Sequence, residues 1–411
     1  MNVWLVKDGE NLPIQPDARK MRTWMLAEEL ARQGHQATWW ASTHSHQRKS
    51  LLYDADREVD VGPGFRLRLL FAGGYRNNRS IARLLHHSRL AAKFRRRAQE
   101  SAPPDVIVSA FPTIELAYEA VAFAKRRSIP VIVDVRDPWP DSFVDLAPPV
   151  LRPAARVTLL PLTWKARASI AGSDSLVACS QGFLDWGLAK AARTRGPEDR
   201  VFYLGAQPLR RSAPSATALG LAKQLAGKIV FCFVGSFGHV YRLRTVCLAS
   251  AALEQRGLRG VQFVIAGDGE QFGEVSAAAR SLGNLTAPGW LSAADADHLL
   301  SISHAGLAPI RQMPGCVPNK IFEYAAAGLP ILSSLRGETE AILARHGAGL
   351  THAPDDVEAL VSQVARLAED ESLRRDMARN SATMFEREFL ATRIYREYAG
   401  HVERIARSRA H

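Results

Sequence analysis

A chain of 411 residues is long for a single domain, and 47% hydrophobic with 23% charged residues is the make-up of an ordinary globular protein rather than a fibrous or disordered one. Cys179, Cys232, Cys247 and Cys316 form no CxxC pair, which argues against a zinc ribbon or a disulfide scaffold and fits a reducing compartment. The formal charge of +12 would attract a polyanion, whether nucleic acid, anionic lipid or a phosphorylated substrate.

The opening apolar run turns charged at Lys7-Asp8, too soon for a signal peptide, and reads as a strand, Val3–Val6. Met21–Gln33 carries Met25, Leu26, Leu30 and Ala31 at helical spacing; Gly34-His35 stops it and Ala37–Trp40 begins a strand. Most of the excess positive charge collects between Arg57 and Arg97. Within it, Ile81–Arg97 reads as a basic helix with Ile81, Leu84, Leu85, Ala91 and Phe94 near one face. That is the form of a segment lying on anionic lipid, and equally of a helix with a solvated basic face. His44, His46, His86 and His87 read as surface residues. Val106–Ser109, Val131–Val135 and Ser175–Ala178 are further strands separated by helical stretches, the alternation of a parallel sheet with helices on both faces.

Leu209–Thr217 is polar and proline-bearing, suited to a linker. The pattern then restarts: strand Ile229–Val234, helix Arg244–Glu254, strand Phe263–Ala266, helix His298–Ser303, strand Ala305–Pro309, helix Ile321–Ala327 and strand Ile331–Ser333. One long helical pattern runs from Asp355 to about Ser381, and Glu386–Arg409 is a last amphipathic stretch. No segment has the roughly 18 uninterrupted apolar residues of a membrane span.

In open α/β sheets ligands bind beyond the carboxyl ends of the strands. Three loops qualify in the second half. Gly235-Ser236-Phe237-Gly238 follows a strand, and its glycines let backbone N–H groups approach a diphosphate, although a plain turn uses glycine in the same way. Ala266–Glu270 (AGDGE) has the same form, with Asp-Gly also a common turn pair. The third, Pro314–Pro330 (PGCVPNKIFEYAAAGLP), places Pro318 in the first turn of a helix and Gly328-Leu329-Pro330 at its end. Lys320 and Glu323, three apart, share a face near the helix N-terminus, where amides, dipole and ammonium favour phosphate and the carboxylate suits a ribose diol; an i,i+3 surface ion pair is the plainer alternative.

The order GSFG, AGDGE, PNKIFEYAAAGLPIL resembles the donor domain of the retaining glycosyltransferase family 4, of GT-B fold. In the first half, Lys7–Pro13, Arg32–Thr38 and Asp134–Asp141 resemble a bacterial polysaccharide and lipopolysaccharide branch. The resemblance implies an α/β protein of two doubly wound Rossmann-like domains facing across a cleft: an acceptor domain over residues 1–205, a donor domain over 206–385, and a C-terminal helix over 386–411 crossing back. It implies transfer from a nucleoside-diphosphate sugar to a glycan or lipid-linked acceptor, with no metal or other cofactor; the alternatives are a non-catalytic nucleotide-sugar-binding partner subunit or a GT-B sugar-nucleotide epimerase. Glu323 would bind ribose, Gly235–Gly238 and Lys320 would neutralise the diphosphate, and Gly267, Trp290, Gly315, Cys316 and Asn319 would complete the donor side.

The chain departs from the family pattern at Gly315, where a second glutamate is usual; backbone N–H groups of Gly315 and Cys316 are the stand-in. Arg242 and Arg244 replace the plain basic pair after the glycine loop, and Ser109–Pro112 stands where many members carry a histidine. For the acceptor, Asp137 is the candidate base, with Arg136 beside it and Trp139 to stack on a sugar; Asp137 could as well cap the next helix. Gly9, Glu10 and Asn11 are a further wall. The resemblance favours a cytoplasmic protein, peripheral on the inner face of the membrane through Ile81–Arg97. Without RNP-like aromatic–basic motifs, nucleic acid is not an expected partner.

Overall fold

A computed structural model describes the chain except Asp17, Asn78, Arg79, the Leu146 side chain, Arg211, Pro314 and residues 409–411. Thus Pro314 of the third loop, Arg211 of the linker and the last residues of the amphipathic stretch lie outside the described residues. The chain divides into two compact units, Met1–Tyr203 with Arg393–His411, and Leu204–Thr392.

The first unit is built on eight strands: β1 (Asn2–Val6), β2 (Gln36–Ser42), β3 (Arg57–Gly62), β4 (Phe65–Leu70), β5 (Val106–Phe111), β6 (Val131–Val135), β7 (Ser175–Ala178) and β8 (Arg200–Val201). Their order in the sheet is β8-β7-β6-β5-β1-β2-β4-β3, parallel except for the edge hairpin β3–β4. That hairpin escapes a reading centred on charge, because Arg66 and Arg68 alternate with apolar residues and pair across the ladder with Asp60 and Glu58. Val106–Phe111 and Val131–Val135 are buried throughout, as strands covered on both faces must be. Trp4, Trp40, Phe94 and Phe123 form an aromatic core, with Trp4 stacked on Phe123 at 5.5 Å and Trp40 edge-on to Phe94 at 5.3 Å.

Phe94 belongs to the helix Ile81–Gln99, and its burial corrects the expected single apolar face. The buried side is His86, His87, Leu90, Ala91, Phe94 and Ala98, while Ile81, Leu84 and Leu85 are exposed. His44, His86 and His87 are buried and His46 is half-buried, so the surface assignment of these histidines was wrong. The reason is Asp8 at the end of β1: its carboxylate meets His86 Nε2 at 3.3 Å, while Gly73 O lies 2.9 Å from His86 Nδ1, and this pins the helix with its histidines inward.

The second unit holds β9 (Ile229–Val234), β10 (Val261–Ala266), β11 (Leu285–Gly289), β12 (Ala305–Ala308), β13 (Ile331–Ser333) and β14 (Gly349–Thr351), all parallel, in the order β11-β10-β9-β12-β13-β14. Numbered within the unit this is 3-2-1-4-5-6, the doubly wound order whose switch point falls between β9 and β12. The long helix expected from Asp355 is two, Val357–Glu369 and Glu371–Met384: Asp370 leaves helical geometry and its side chain accepts the Leu373 amide at 2.8 Å. A short π-turn, Phe385–Phe389, then leads to the helix Ala391–Arg407. That helix packs within the first unit, Tyr398 stacked on Phe202 at 4.6 Å and His401 Nε2 2.9 Å from Ser175 Oγ.

Candidate active site

At the switch point of the second unit three loops lock into one another. Gly235, following β9, has φ +147 and donates its amide to Ala266 O. Gly267, following β10, has φ +150, and a Cβ there would stand 1.8 Å from Gly235 O. A Cβ on Gly269 would stand 3.1 Å from Phe237 N, and the Phe237 amide donates to Asp268 O at 2.7 Å. Gln271 ties the underside, its Nε2 donating to Gly238 O and Tyr241 O. Glycine is therefore required at Gly267 by backbone contact as well as by dihedral angle, and at Gly235 by its dihedral angle.

This geometry redistributes the expected donor contacts. Phe237 is fully buried and packs on Phe233 and Phe272, so it supports the loop from beneath and its side chain cannot reach a ligand. The Gly235, Phe237 and Gly267 amides are spent on Ala266 O, Asp268 O and Gly289 O, whereas those of Ser236 and Gly238 make no backbone hydrogen bond among the described residues. Cys316 likewise commits its amide to Met313 O and its carbonyl to Thr339, so it is not the expected sugar-binding N–H. Gly315 has φ +72 and forms the turn before it.

The helix Asn319–Ala326 opens at the same point. Lys320 is 4% exposed; its ammonium donates to Val234 O at the tip of β9 and lies 4.2 Å from the Phe233 ring centre and 5.1 Å from that of Tyr241. A Cβ on Gly235 would come within 2.6 Å of Lys320 Nζ, so the glycine makes room for the cation. Lys320 is thus part of the loop's own frame, not a surface ion pair. Glu323 is half-buried one turn on and Asn319 is exposed at the helix start. The helix is fixed by Tyr324, whose hydroxyl donates to Leu307 O and whose ring lies over Gly306, where a Cβ would meet it at 2.3 Å. Gly306 gave no signal beyond being a glycine inside a strand. Trp290, directly after β11, is 68% exposed at the same rim. Arg242 and Arg244 are turned aside, near Asp355 and Glu274.

In the first unit the expected acceptor residues separate into two groups. Arg136 is half-buried between Asp134 and Glu10, and Arg22 grips Asp134 from the other side through Nε at 2.8 Å and Nη2 at 3.0 Å. Glu10 also accepts the Thr23 amide at 3.0 Å, capping the helix Arg22–Arg32. Glu10 and Arg136 therefore anchor the loops after β1 and β6 and do not line a binding wall; Asn11, donating to Arg19 O, holds the same loop. Trp139 is covered on one side by Phe143 at 4.4 Å and approached by the Arg83 guanidinium at 5.0 Å, which takes the ring faces expected for a sugar.

Asp137 stays in play. It is half-buried, and burial raises its carboxyl above the usual range against the opposing effects of Trp139, Lys7, Arg83 and Ser142. Lys7, at the end of β1, donates to Pro112 O at 2.9 Å; burial, with Arg136 nearby, brings its ammonium down to about 8. Gly9 has φ +84 and its carbonyl accepts from Gln47. Sequence reasoning missed Lys7, although it follows the first strand of a sheet whose switch point lies between β1 and β5.

Residues 20–207 match the family model for the glycosyl transferase 4-like domain, and residues 228–370 match that for glycosyl transferases group 1. No curated protein matches the sequence. Among solved structures, Anabaena HepE, in complex with UDP, is similar at 15% identity, TM-score 0.69, with 98% of this chain and 100% of that chain covered. Sucrose-phosphate synthase from Thermosynechococcus elongatus is similar at 16%, TM-score 0.72 and 99% of each chain. WaaG, a glycosyltransferase involved in lipopolysaccharide biosynthesis, is similar at 15%, TM-score 0.63, with 98% and 99% covered. At such identities these likenesses speak to fold, and the domain matches speak to activity. With a transferase 4-like domain in one unit and a group 1 domain in the other, the chain is a glycosyltransferase of the GT-B fold.

Proposed function

We propose that the enzyme transfers a sugar from a UDP-sugar, with retention of configuration, to a glycan or lipid-linked acceptor in the cytoplasm during bacterial surface polysaccharide synthesis. The observation that carries this is Lys320 at the switch point, in the first turn of a helix, its ammonium seated beside Gly235 in a loop whose Ser236 and Gly238 amides make no backbone hydrogen bond among the described residues. Family 4 membership and UDP as the nucleotide are part of the same reading; HepE bound to UDP and UDP-glucose makes UDP the first nucleotide to test.

In this reading Lys320 and the loop amides stabilise the charge that grows on the departing diphosphate, Glu323 holds the ribose, and Trp290 offers a face to the base. Asp137 orients the acceptor hydroxyl, and no metal takes part. Incubation of the enzyme with UDP-glucose and related donors, in EDTA, should release UDP slowly by hydrolysis, with Glu323→Ala reducing both binding and release. Tight UDP binding with no turnover on any donor, alone or with glycan acceptors, would instead mark a non-catalytic nucleotide-binding subunit.

A further inference from the structure

The first unit leaves a set of large apolar side chains in water. After β6 the chain passes through three short helices, Pro149–Leu151, Arg152–Thr158 and Leu160–Ala171, and the first two bury no residue at all. Val150 is 83% exposed, Val157 67%, Trp164 60% and Leu160 57%. Helices this short gain their stability from a buried face, and an apolar cluster left outside marks a contact surface.

The charge around this cluster names the partner. Arg152, Arg156, Lys165 and Arg167 are the only charged residues between Asp145 and Asp174, and none makes an ion pair among the described residues. The neighbouring helix Ile81–Gln99 differs: Lys93 and Arg97 are paired with Asp56, Arg95 with Glu119 and Arg96 with Glu100, so most of its positive charge is neutralised within the protein. Only its first turn, Ile81, Leu84 and Leu85, adds to the exposed apolar surface. It connects there through Arg83, set over Trp139, which packs on Phe143 at the head of the 149–171 segment.

We infer that residues 150–167 form a docking surface for an anionic phospholipid bilayer, the apolar side chains entering the headgroup region and the four cations facing lipid phosphate. The segment leaves the carboxyl end of β6, the same end from which Asp137 follows, so a docked bilayer would present a lipid-linked acceptor to that rim. The inference rests on the proposed lipid-linked acceptor for its purpose only, since vesicle binding and donor hydrolysis are read separately and either can fail alone.

The test is sedimentation of the full chain with vesicles of phosphatidylcholine alone or with 30% phosphatidylglycerol. The wild type should bind the anionic vesicles, less so as salt rises, and the neutral ones weakly. Val157→Asp/Leu160→Asp should weaken anionic binding at least tenfold, and Arg156→Glu/Arg167→Glu comparably. Leu248→Asp, an exposed leucine of the second unit, should change nothing. UDP-sugar hydrolysis and melting temperature should stay at wild-type values in every variant, which separates lost docking from lost folding. Absence of vesicle binding by the wild type, or binding that survives both double variants, overturns the inference. So does a dimer in light scattering that Val157→Asp/Leu160→Asp dissociates, since the surface would then be a subunit interface.

Discussion

Lys320→Met isolates the role of the buried cation. Methionine keeps most of the length and volume, so the neighbouring rings stay packed. The variant loses the hydrogen bond to Val234 O and the approach to Phe233 and Tyr241, but no longer buries an ammonium. An unsatisfied carbonyl costs about 1–3 kcal/mol and a desolvated cation–π contact about 2 kcal/mol, against several kcal/mol of desolvation relieved. The variant should therefore fold, with a melting temperature within a few degrees of wild type. Its chemistry should suffer far more. Removing a preorganised donor from developing negative charge costs about 2.7–4 kcal/mol, or about 10²–10³ in kcat, while ground-state binding of the diphosphate weakens by about tenfold. Steady-state kinetics on the donor, with calorimetric UDP titration, separates the two quantities. A folded Lys320→Met enzyme with wild-type kcat would refute the placement of the leaving group at this ammonium.

Other expectations follow from the same geometry. Gly267→Ala drives a Cβ into Gly235 O at a φ of +150, and overpacking with backbone strain together cost on the order of 3–5 kcal/mol; differential scanning should show the melting temperature down by roughly 10 °C, and an unchanged transition would contradict the interlocked loops. Asp137→Asn should lower kcat and abolish the acid limb of the rate profile, a limb that burial places above the ordinary carboxylate range; an unaltered limb would assign it to another group. Burial holds His46 at about 4 and His87 at about 3, whereas an unfolded imidazole titrates near 6.5. The unfolded chain therefore binds more protons between those values, so stability is full above about pH 6.5 and declines as pH falls toward 4, a slope that His87→Asn should flatten in thermal melts.

Strands buried on both faces, such as Ile229–Val234 and Val131–Val135, are continuous apolar runs and are legible from sequence alone. The helix carrying Lys320 and Glu323 is legible for another reason, since proline at its start and Gly328-Leu329-Pro330 at its end punctuate it. The helix Ile81–Gln99 is not. Its sequence offers two faces at the same spacing, one led by Ile81, Leu84 and Leu85, the other by His86, Leu90 and Phe94. What decides between them is Asp8, far away in the chain. Arg136 and Glu10 fail in the same way: each looks like a functional side chain beside a strand end, yet they meet across 126 residues in a part-buried ion pair that no local pattern records.

The outcome at Glu10 and Arg136 changes what the two switch points can be asked to do. In the second unit the rim is made of glycine backbone, and Lys320, the one buried cation among that unit's described residues, donates to a carbonyl and lies over aromatic rings. In the first, Asp134 and Glu10 already compensate Arg22 and Arg136, so those guanidiniums have little field left for a ligand. What remains beside them is Lys7, partly deprotonatable at about 8, and Asp137, raised by burial: groups poised to exchange protons rather than to bind anions. Gly315, standing where a carboxylate is usual, fits the same division. In the proposed reaction Lys320 serves the leaving group and Asp137 the acceptor hydroxyl, so the glycine turn at Gly315 takes no part in proton transfer.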